Sequence, residues 1–391
     1  MKNVFITSAT RTAVGSLNKT LKNVPSHELG SAVITESVKI SQIEKEDVDE
    51  IVLGQVLTGG TGQNPARQAS ILSGIPKEKP AYIVNQVCGS GIRSIASGFQ
   101  SIKSGDTKIV IAGGQESMSL APHSIHLRDG QKLGDTGLID TMIKDGLWDA
   151  FHGYHMGITA ENVAEKFQVT REEQDKFALK SQEKAIKAQK ENKFKNEIIN
   201  FKIKSRKAEI DFIKDEHPRE GINLEALKRL KPVFKKDGTV TAGNASGLND
   251  GSAALILMNE KTANELKLVP LARIVSWATV GVDPSIMGIG PVPAVRESLK
   301  KASWKVDDLD IIEANEAFAA QSLAVSKEIK WDMNKVNING GAIALGHPIG
   351  ASGARILVTL IHELQNSKKN KGIATLCIGG GQGIAMCIER I

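Results

Sequence analysis

The chain has 391 residues, which is enough for two or three domains that each bury a hydrophobic core. Hydrophobic residues make up 41% and charged residues 24%, which is typical of folded soluble proteins and excludes a largely disordered chain. The net charge of +6 is concentrated in residues 180–240, which lack a nucleic-acid motif, so we expect an anionic small molecule or a solvated lysine-rich helix face there, and no nucleic acid.

The N-terminal residues 1–15 contain an apolar run that polar residues interrupt too early for the core of a secretion signal. No stretch of about 18 consecutive apolar residues occurs, and the C-terminal Glu389-Arg390-Ile391 is not a peroxisomal signal. These observations predict a cytoplasmic protein that does not enter a membrane.

Three short motifs occur twice, in the same order and at nearly the same spacing, which indicates a duplicated chain. In each copy an amphipathic stretch of helical periodicity precedes a strand-like apolar run, at 108–112 and at 372–378, so each copy is predicted to be an α/β unit. The paired motifs are DVDEIV at 47–52 with DLDIIE at 308–313, GSGIR at 89–93 with ASGAR at 351–355, and GGQ at 113–115 with GGQ at 380–382.

Residues 120–249 match neither copy and contain a helical run at 171–192, so we expect them to form an inserted domain. The apolar residues 251–258 fit one more buried strand or helix of the first copy. The strand-like residues 272–275 open the second copy.

Cys88 lies in NQVCGSG, between a strand-like run and the predicted helix that opens near Gly89. A helix N-terminus presents unpaired N–H groups and partial positive charge, which favour a thiolate, so a lowered pKa is expected for Cys88. Cys88 is therefore a candidate nucleophile. An isolated cysteine can also be a small buried hydrophobic residue.

His347 lies in GGAIALGHPIGASG, just ahead of the amphipathic helix of the second copy. It takes nearly the position in its copy that Cys88 takes in the first. Pseudo-twofold packing of the copies would place the imidazole within reach of the thiol, as catalysis by a cysteine nucleophile requires. A structural histidine in a glycine-rich loop is the alternative.

Cys377 ends an apolar run in TLCIGGGQG, where the glycines leave backbone N–H groups free to stabilise an oxyanion. It is a candidate acid or base, whereas Cys387 in IAMCIERI fits an ordinary core position. The three cysteines have no metal-ligand spacing and cannot all pair, so we expect free thiols and no metal.

The segment EANEAF at 313–318 stands where the first copy has residues 52–55 of a predicted strand. Asn315 and Glu316 would lie near the C-terminal end of the strand, where open α/β sheets bind their ligands. Asn315 can orient a water or donate to an oxyanion, and a plain capping role is the alternative.

Together these motifs resemble the signature sequences of the thiolase family over essentially the whole chain. The resemblance rests on VCGSG at 87–91, NEAF at 315–318, GGAIALGHPIGASGAR at 340–355 and CIGGGQG at 377–383, with further agreement in GQNPARQ at 62–68, YHMGITAENVAE at 154–165 and GTVTAGNASGLNDG at 238–251.

The resemblance implies an α/β fold of two duplicated βαβαβαββ halves packed as a layered core, with an inserted loop domain. The N-terminal half would comprise residues 1–119 and 250–271, the inserted CoA-binding domain 120–249, and the C-terminal half 272–391. Family members usually form homotetramers, built as dimers of tight dimers. They need no metal or redox cofactor, because their CoA thioesters are substrates.

The resemblance also implies the residue roles. Cys88 would accept the acyl group, His347 would take its proton, and Cys377 would remove the α-proton of the second acyl-CoA. One oxyanion hole would use His347 and a water held by Asn315. The other would use the backbone N–H groups of Cys88 and Gly379.

By the same resemblance, the pantetheine arm of CoA would pass Ser246, with Ala242 nearby. The CoA phosphates would meet the basic stretch at Arg219 and, less directly, at Lys228.

The acyl pocket resembles that of the short-chain biosynthetic type, which condenses two acetyl-CoA into acetoacetyl-CoA and CoA through an acetyl-cysteine. A broader-range degradative 3-ketoacyl-CoA thiolase is the alternative, and a catalytically silent binding protein would not need all four catalytic residues. Without the resemblance, the pocket methionines would also fit flexible core residues. The pocket residues are His155, Met156, Met287 and Phe318.

Overall fold

The computed structural model describes residues 3–204 and 209–391. The lysine-rich stretch 180–240 thus lies partly outside the described residues. In the described part of the chain, no helix is both long enough and apolar enough to cross a membrane.

The described residues form 16 strands and 11 α-helices. The strands are β1 Val4–Arg11, β2 Gly15–Ser16, β3 Glu50–Gly54, β4 Ala81–Val84, β5 Ile109–Ser117, β6 His123–Ser124, β7 Ile139–Asp140, β8 Trp148–Asp149, β9 Tyr154–His155, β10 Phe201–Lys204, β11 Glu209–Phe212, β12 Asn249–Asn259, β13 Ala272–Gly281, β14 Ile311–Ala314, β15 Lys371–Ile378 and β16 Gln382–Arg390.

The helices alternate with the longer strands in both halves of the chain. They are α1 Ser26–Ser41, α2 Pro65–Leu72, α3 Ser90–Ser104, α4 Met156–Lys166, α5 Arg171–Lys190, α6 Leu224–Lys228, α7 Glu260–Glu265, α8 Pro291–Ala302, α9 Ala319–Ile329, α10 Ala342–Leu345 and α11 Ser352–Ser367. A π-helix spans Met142–Leu147, and 3₁₀-helices span Lys45–Asp47, Pro284–Ile289 and Val306–Asp308.

Ten strands form one sheet in the order β14, β15, β16, β13, β1, β12, β5, β3, β4, with β2 on the side of β12. The series β14-β15-β16-β13 mirrors the series β3-β5-β12-β1, and the two meet where β1 pairs with β13 in antiparallel orientation. In each series the outer pair is parallel and the others are antiparallel. The predicted duplication therefore appears as a pseudo-twofold arrangement of the sheet.

The repeated motif that begins at Asp47 and Asp308 folds in the same way in both halves. In each copy a 3₁₀-helix ends at the first aspartate of the motif, and the motif then leads into a strand. The Asp49 carboxylate accepts hydrogen bonds from two backbone N–H groups at the start of β5, and the Asp310 carboxylate accepts two at the start of β15, all at 2.7–3.0 Å. The same sequence thus ties neighbouring strands together twice.

The molecule is layered, with helices on both faces of each half of the sheet. Helices α3 and α11 lie between the two halves and share one apolar core with both. Helices α1, α2 and α7 cover the outer face of the N-terminal half, and α4, α8 and α9 cover that of the C-terminal half. The predicted α/β fold with a layered core is confirmed.

Residues 251–258, for which strand and helix stayed open, lie in strand β12. This strand is buried along nearly its whole length between β1 and β5. A strand covered on both faces shows no alternation of apolar and polar residues, so periodicity could not decide the case.

Residues 120–249, predicted to form an inserted domain, contain α4 to α6, the two-residue strands β6 to β9 and the strands β10 and β11. Helix α5 corresponds to the predicted helical run at 171–192. It begins after Thr170, whose hydroxyl caps the helix while the Glu173 carboxylate accepts from the Thr170 backbone at 2.7 Å.

Candidate active site

A cavity of about 630 Å³ lies where segments from both halves and the inserted segment meet. Cys88, His347 and Gly379 line its floor, and its walls include Met156 and Ser246. The cavity therefore gathers residues that are far apart along the chain.

Cys88 lies in a tight turn between β4 and α3. The Gly89 N–H donates to the Gln86 carbonyl at 3.0 Å, and the Ser90 N–H donates to the Val87 carbonyl at 3.1 Å. Val87 has a φ of 45°, a left-handed conformation that β-branched residues rarely adopt. Such strain persists only where the surrounding structure enforces it, and here it sets Cys88 against the cavity.

The starts of α3 and α11 touch through Gly91 and Gly353. A Cβ on Gly91 would lie 2.4 Å from the backbone nitrogen of Ala354, and a Cβ on Gly353 would lie 2.5 Å from that of Ile92. Glycine thus permits backbone contact that any side chain would prevent. Because the Cys88 turn precedes one helix and the His347 loop precedes the other, this contact brings the thiol and the imidazole to one cavity.

His347 is held by the side chains of Asn249 and Ser352. The Asn249 side-chain oxygen accepts its backbone N–H at 2.9 Å. The Ser352 hydroxyl lies 2.6 Å from Nδ1 and donates its only proton to the Pro348 carbonyl at 2.8 Å. Ser352 must therefore accept from Nδ1–H, which leaves the lone pair on Nε2.

Asn315 directly follows β14, and its Nδ2 lies 3.4 Å from Nε2 of His347. Its Oδ1 is buried and has no hydrogen-bond partner among the described residues. A buried acceptor without a partner is costly, and a water that donates to Oδ1 would satisfy it. The geometry thus suits the predicted water-holding role of Asn315.

The pKa of Cys88 departs from the sequence-based expectation. Burial raises it to about 11, although the nearby backbone N–H groups of Gly379 and Cys88 favour the thiolate, and the nearby Glu116 carboxylate raises it further. The expected lowering of the pKa at the helix start is therefore wrong. Cys88 is a neutral thiol near pH 7, so its attack requires a base.

His347 is suited to be that base. Burial, helped by the positive charge of Arg355, lowers its pKa to about 3. The imidazole is therefore neutral near pH 7, and the lone pair on Nε2 has only the long 3.4 Å contact from Nδ2 of Asn315.

Cys377 lies at the end of β15, fully buried behind the cavity wall. It belongs to an apolar cluster with Met156, Met287 and Phe318, which line the cavity. Burial and the neighbouring Cys88 raise the pKa of Cys377, so it too is a neutral thiol near pH 7. All three cysteines are free.

The predicted acyl-pocket residues form a continuous apolar wall. The His155 ring stacks on Phe234 with centroids 4.6 Å apart, and Phe234 meets Phe318 edge-on. His155 Nδ1 accepts the Gly157 N–H at 3.0 Å, so the proton of the neutral ring lies on Nε2. Burial lowers the pKa of His155, which keeps the ring neutral.

Three of the four predicted CoA contacts line the cavity, namely Ser246, Ala242 and Arg219. Lys228 is not among the lining residues, and its ammonium lies 3.4 Å from the Glu225 carboxylate on the surface. The structure therefore does not place Lys228 at the cavity.

Glu116 is a buried residue of the site that sequence reasoning missed. Its carboxylate accepts the backbone N–H groups of Val56, Leu57 and Gly350 at 2.9–3.2 Å, which ties the His347 loop to the end of β5. Burial raises the pKa of Glu116 to about 7. An acidic residue at the end of an apolar run, in GGQES, was the available signal.

His217 and Ser352 were also missed. His217 lines the cavity with Nδ1 3.3 Å from the Ser16 hydroxyl, and burial lowers its pKa to about 4. His217 has no distinctive local sequence pattern, and Ser352 lies in the repeated motif ASGAR at 351–355, which does not show that its hydroxyl contacts His347.

Iodoacetamide is expected to alkylate Cys88 before the other cysteines, because Cys88 is half-buried whereas Cys377 and Cys387 have no exposed surface. With a pKa of about 11, the thiolate fraction should grow about tenfold per pH unit from pH 7 to 10. Mass spectrometry of alkylated peptides measures both effects. A rate that is flat from pH 7 to 9 would instead indicate a stable thiolate–imidazolium pair.

Comparison with known proteins agrees with this geometry. Residues 4–261 match the family model described as the thiolase N-terminal domain, and residues 268–390 match the thiolase C-terminal domain. The chain is 59% identical over 389 residues to an acetyl-CoA acetyltransferase of Rhizobium meliloti (strain 1021), with 100% of this chain and 99% of the relative covered.

Two solved structures share the fold. The Bacillus anthracis acetyl-CoA acetyltransferase superposes with a TM-score of 0.98 at 48% identity, and human mitochondrial 3-ketoacyl-CoA thiolase with 0.97 at 42% identity. Each comparison covers 100% of this chain and 99% of the other.

Proposed function

Since the chain belongs to the thiolase family, we propose that it catalyses the reversible condensation of two acetyl-CoA into acetoacetyl-CoA and CoA. The observation that carries the proposal is the joint presence, on one cavity, of the Cys88 thiol, the Gly379 backbone and a neutral His347. The Ser352 hydroxyl faces Nδ1 of His347 and favours the tautomer with the lone pair on Nε2. The acetyl-CoA acetyltransferases of Rhizobium meliloti and Bacillus anthracis, at 59% and 48% identity, support it.

In the first half-reaction, Cys88 would attack the thioester carbonyl while Nε2 of His347 takes the thiol proton. The backbone N–H groups of Cys88 and Gly379 would stabilise the oxyanion. As the intermediate collapses, the CoA sulfur would leave with the proton from His347, which gives acetyl-Cys88 and free CoA.

In the second half-reaction, Cys377 would first pass its thiol proton to the neutral His347 and then, as a thiolate, remove an α-proton from a second acetyl-CoA. The enolate oxygen would be stabilised by protonated His347 and a water held by Asn315. The carbanion would attack acetyl-Cys88 and yield acetoacetyl-CoA, and the released Cys88 sulfur would take the proton from His347, which regenerates both thiols. A raised pKa makes the Cys377 thiolate a stronger base than an exposed thiolate and, in the reverse direction, leaves a thiol ready to donate.

CoA would enter along the inserted segment. The pantetheine arm would pass Ser246 and Ala242, and Arg219 at the exposed rim would meet the phosphates. Lys228 would act only as a more distant positive charge. We propose that no metal or redox cofactor takes part, since a thiol, an imidazole and backbone N–H groups cover each step.

We also propose the domain division inferred above, with residues 120–249 as the CoA-binding insertion, together with a cytoplasmic location and a homotetramer. Large apolar side chains of the insertion that are exposed in the single chain would suit burial between subunits. They include Leu133, Leu138 and Phe151.

The chain-length range is tested by thiolysis of 3-ketoacyl-CoA substrates of increasing length. The wall formed by Met156, Met287 and Phe318 is packed and buried, so kcat/KM for acetoacetyl-CoA should exceed that for 3-ketooctanoyl-CoA by at least about 100-fold. Met287→Ala should lower this ratio, because loss of part of the wall makes room for the longer acyl chain. Equal rates for both substrates in the wild type would favour the degradative 3-ketoacyl-CoA thiolase, the activity named for the human relative at 42% identity.

A further inference from the structure

The two backbone N–H groups proposed to stabilise the oxyanion at Cys88 come from different halves of the chain. One belongs to Cys88, in the turn after β4, and the other to Gly379, in the loop between β15 and β16. An oxyanion hole works only if its donors lie at hydrogen-bond distance from the developing charge. A misplacement of 1 Å can cost about 10²-fold in rate, so the two segments must be held in register.

The loop that carries the Gly379 N–H has little stiffness of its own. It consists of three consecutive glycines, of which Gly380 and Gly381 have φ values of 81° and 83°. Glycine has the largest conformational freedom of any residue and no side chain to pack. The position of this N–H therefore depends on contacts made at the ends of the loop.

One end is fixed by an apolar contact. The Ile378 side chain packs directly against Gly89. A Cβ on Gly89 would lie only 2.4 Å from Cδ1 of Ile378, so there is no room for a side chain at Gly89. The last residue of β15 thus presses against the residue after Cys88.

The other end is fixed by a hydrogen bond between two side-chain amides. Nε2 of Gln86 donates to Oε1 of Gln382 at 2.8 Å, and also to the Thr279 hydroxyl at 3.1 Å. That hydroxyl donates its own proton to the Gly383 carbonyl at 3.1 Å, so it can only accept from Gln86. The orientation of the Gln86 amide is therefore determined by its partners.

We propose that Gln86 and Gln382 are positioning residues that hold the Cys88 and Gly379 N–H groups at the separation the oxyanion needs. Gln86 lies two residues before Cys88, and Gln382 lies three residues after Gly379, so their bond joins the two donor segments directly. The inference rests on the proposed function, because the oxyanion forms only during acyl transfer.

The test compares Gln86→Met, Gln382→Met and the double variant with the wild type. Methionine keeps the length of the side chain and removes the amide. Rapid mixing with acetyl-CoA and mass spectrometry measure the rate at which Cys88 is acetylated. This rate should be at least about tenfold lower in each single variant than in the wild type. The double variant should be no slower than the slower single variant, because both changes remove the same bond.

Alkylation of Cys88 by iodoacetamide separates positioning from general damage, since this reaction develops no oxyanion. The Gly379 N–H also favours the Cys88 thiolate, so the alkylation rate is compared per thiolate, with the thiolate fraction taken from its pH dependence. This rate should stay within about threefold of the wild type. Gln365→Met is the matched control. Gln365 lies near the C-terminal end of α11, and its side-chain amide donates to the Leu271 carbonyl. The variant also removes one amide hydrogen bond, but away from the cavity, so Cys88 should be acetylated at the wild-type rate.

Three results would overturn the inference. Acetylation could be unchanged in the Gln86→Met variant, the effects of the two changes could add in full, or acetylation and alkylation could fall together. A wild type that acetyl-CoA does not acetylate would overturn the proposed function, and this inference with it.

Discussion

Cys377→Ala is expected to form acetyl-enzyme at Cys88 when it is mixed with acetyl-CoA, and yet to make almost no acetoacetyl-CoA. The nucleophile, the His347 base and the N–H groups of Cys88 and Gly379 all remain, so the first half-reaction should proceed. The carbanion cannot form without the base, and removal of an acid–base group typically costs about 10² to 10⁴ in rate. The measurement is the mass of the acetyl-enzyme beside the rate of condensation.

Two variants serve as controls for this prediction. Cys88→Ala should abolish both acetylation and condensation. Cys387→Ala should keep full activity, because Cys387 is equally buried but lies beside Ser298, away from the cavity, and should lose only about 1 to 2 kcal/mol of stability. A folded Cys377→Ala protein that cannot be acetylated would contradict the proposed division of roles between the two cysteines.

His347→Ala is expected to slow acetylation of Cys88 by about 10² to 10⁴-fold. The physical reason is the pKa of Cys88, about 11, which leaves almost no thiolate near pH 7 unless a base takes the proton during attack. In the variant only the free thiolate can react, so acetylation should rise about tenfold per pH unit between pH 7 and 10. Rapid mixing with acetyl-CoA across this pH range measures the effect.

Ser352→Ala tests the orientation of the base without removing it. The Nδ1–H of His347 would lose its acceptor, and the ring could adopt the tautomer with the proton on Nε2. We expect a smaller loss of about tenfold at pH 7. If His347→Ala acetylates at the wild-type rate at pH 7, the assignment of His347 as the base is wrong.

Much of the candidate site could be predicted because its signals are local. Cys88, His347 and Cys377 each lie beside glycines at the end of a strand or the start of a helix, and such turns can be recognised from a few consecutive residues. The duplication also predicted that Cys88 and His347 would meet, since equivalent positions of two similar halves face each other across a pseudo-twofold axis.

Other members of the site could not be predicted because their roles depend on distant contacts. Glu116 acts on Gly350, 234 positions away, and Gln86 acts on Gln382, 296 positions away. Both side chains belong to common types with many surface roles, and the one local signal, the acidic residue at the end of an apolar run in GGQES, does not reveal which segment Glu116 contacts. The same reason explains Lys228, which lies within the basic stretch in sequence but not at the cavity.

Local patterns and their spacing predicted the α/β duplication, the thiolase resemblance and the positions of the candidate catalytic residues, because each of these is visible in a few consecutive residues or their repetition. The protonation states could not be predicted in this way, because they depend on burial and on contacts between distant segments. The helix start favours a thiolate at Cys88. Burial destabilises the charged thiolate by more than the nearby N–H groups of Gly379 and Cys88 stabilise it, so the thiol stays neutral. The tertiary structure likewise selected the tautomer of His347, because the acceptor of its Nδ1–H had already donated its own proton to Pro348.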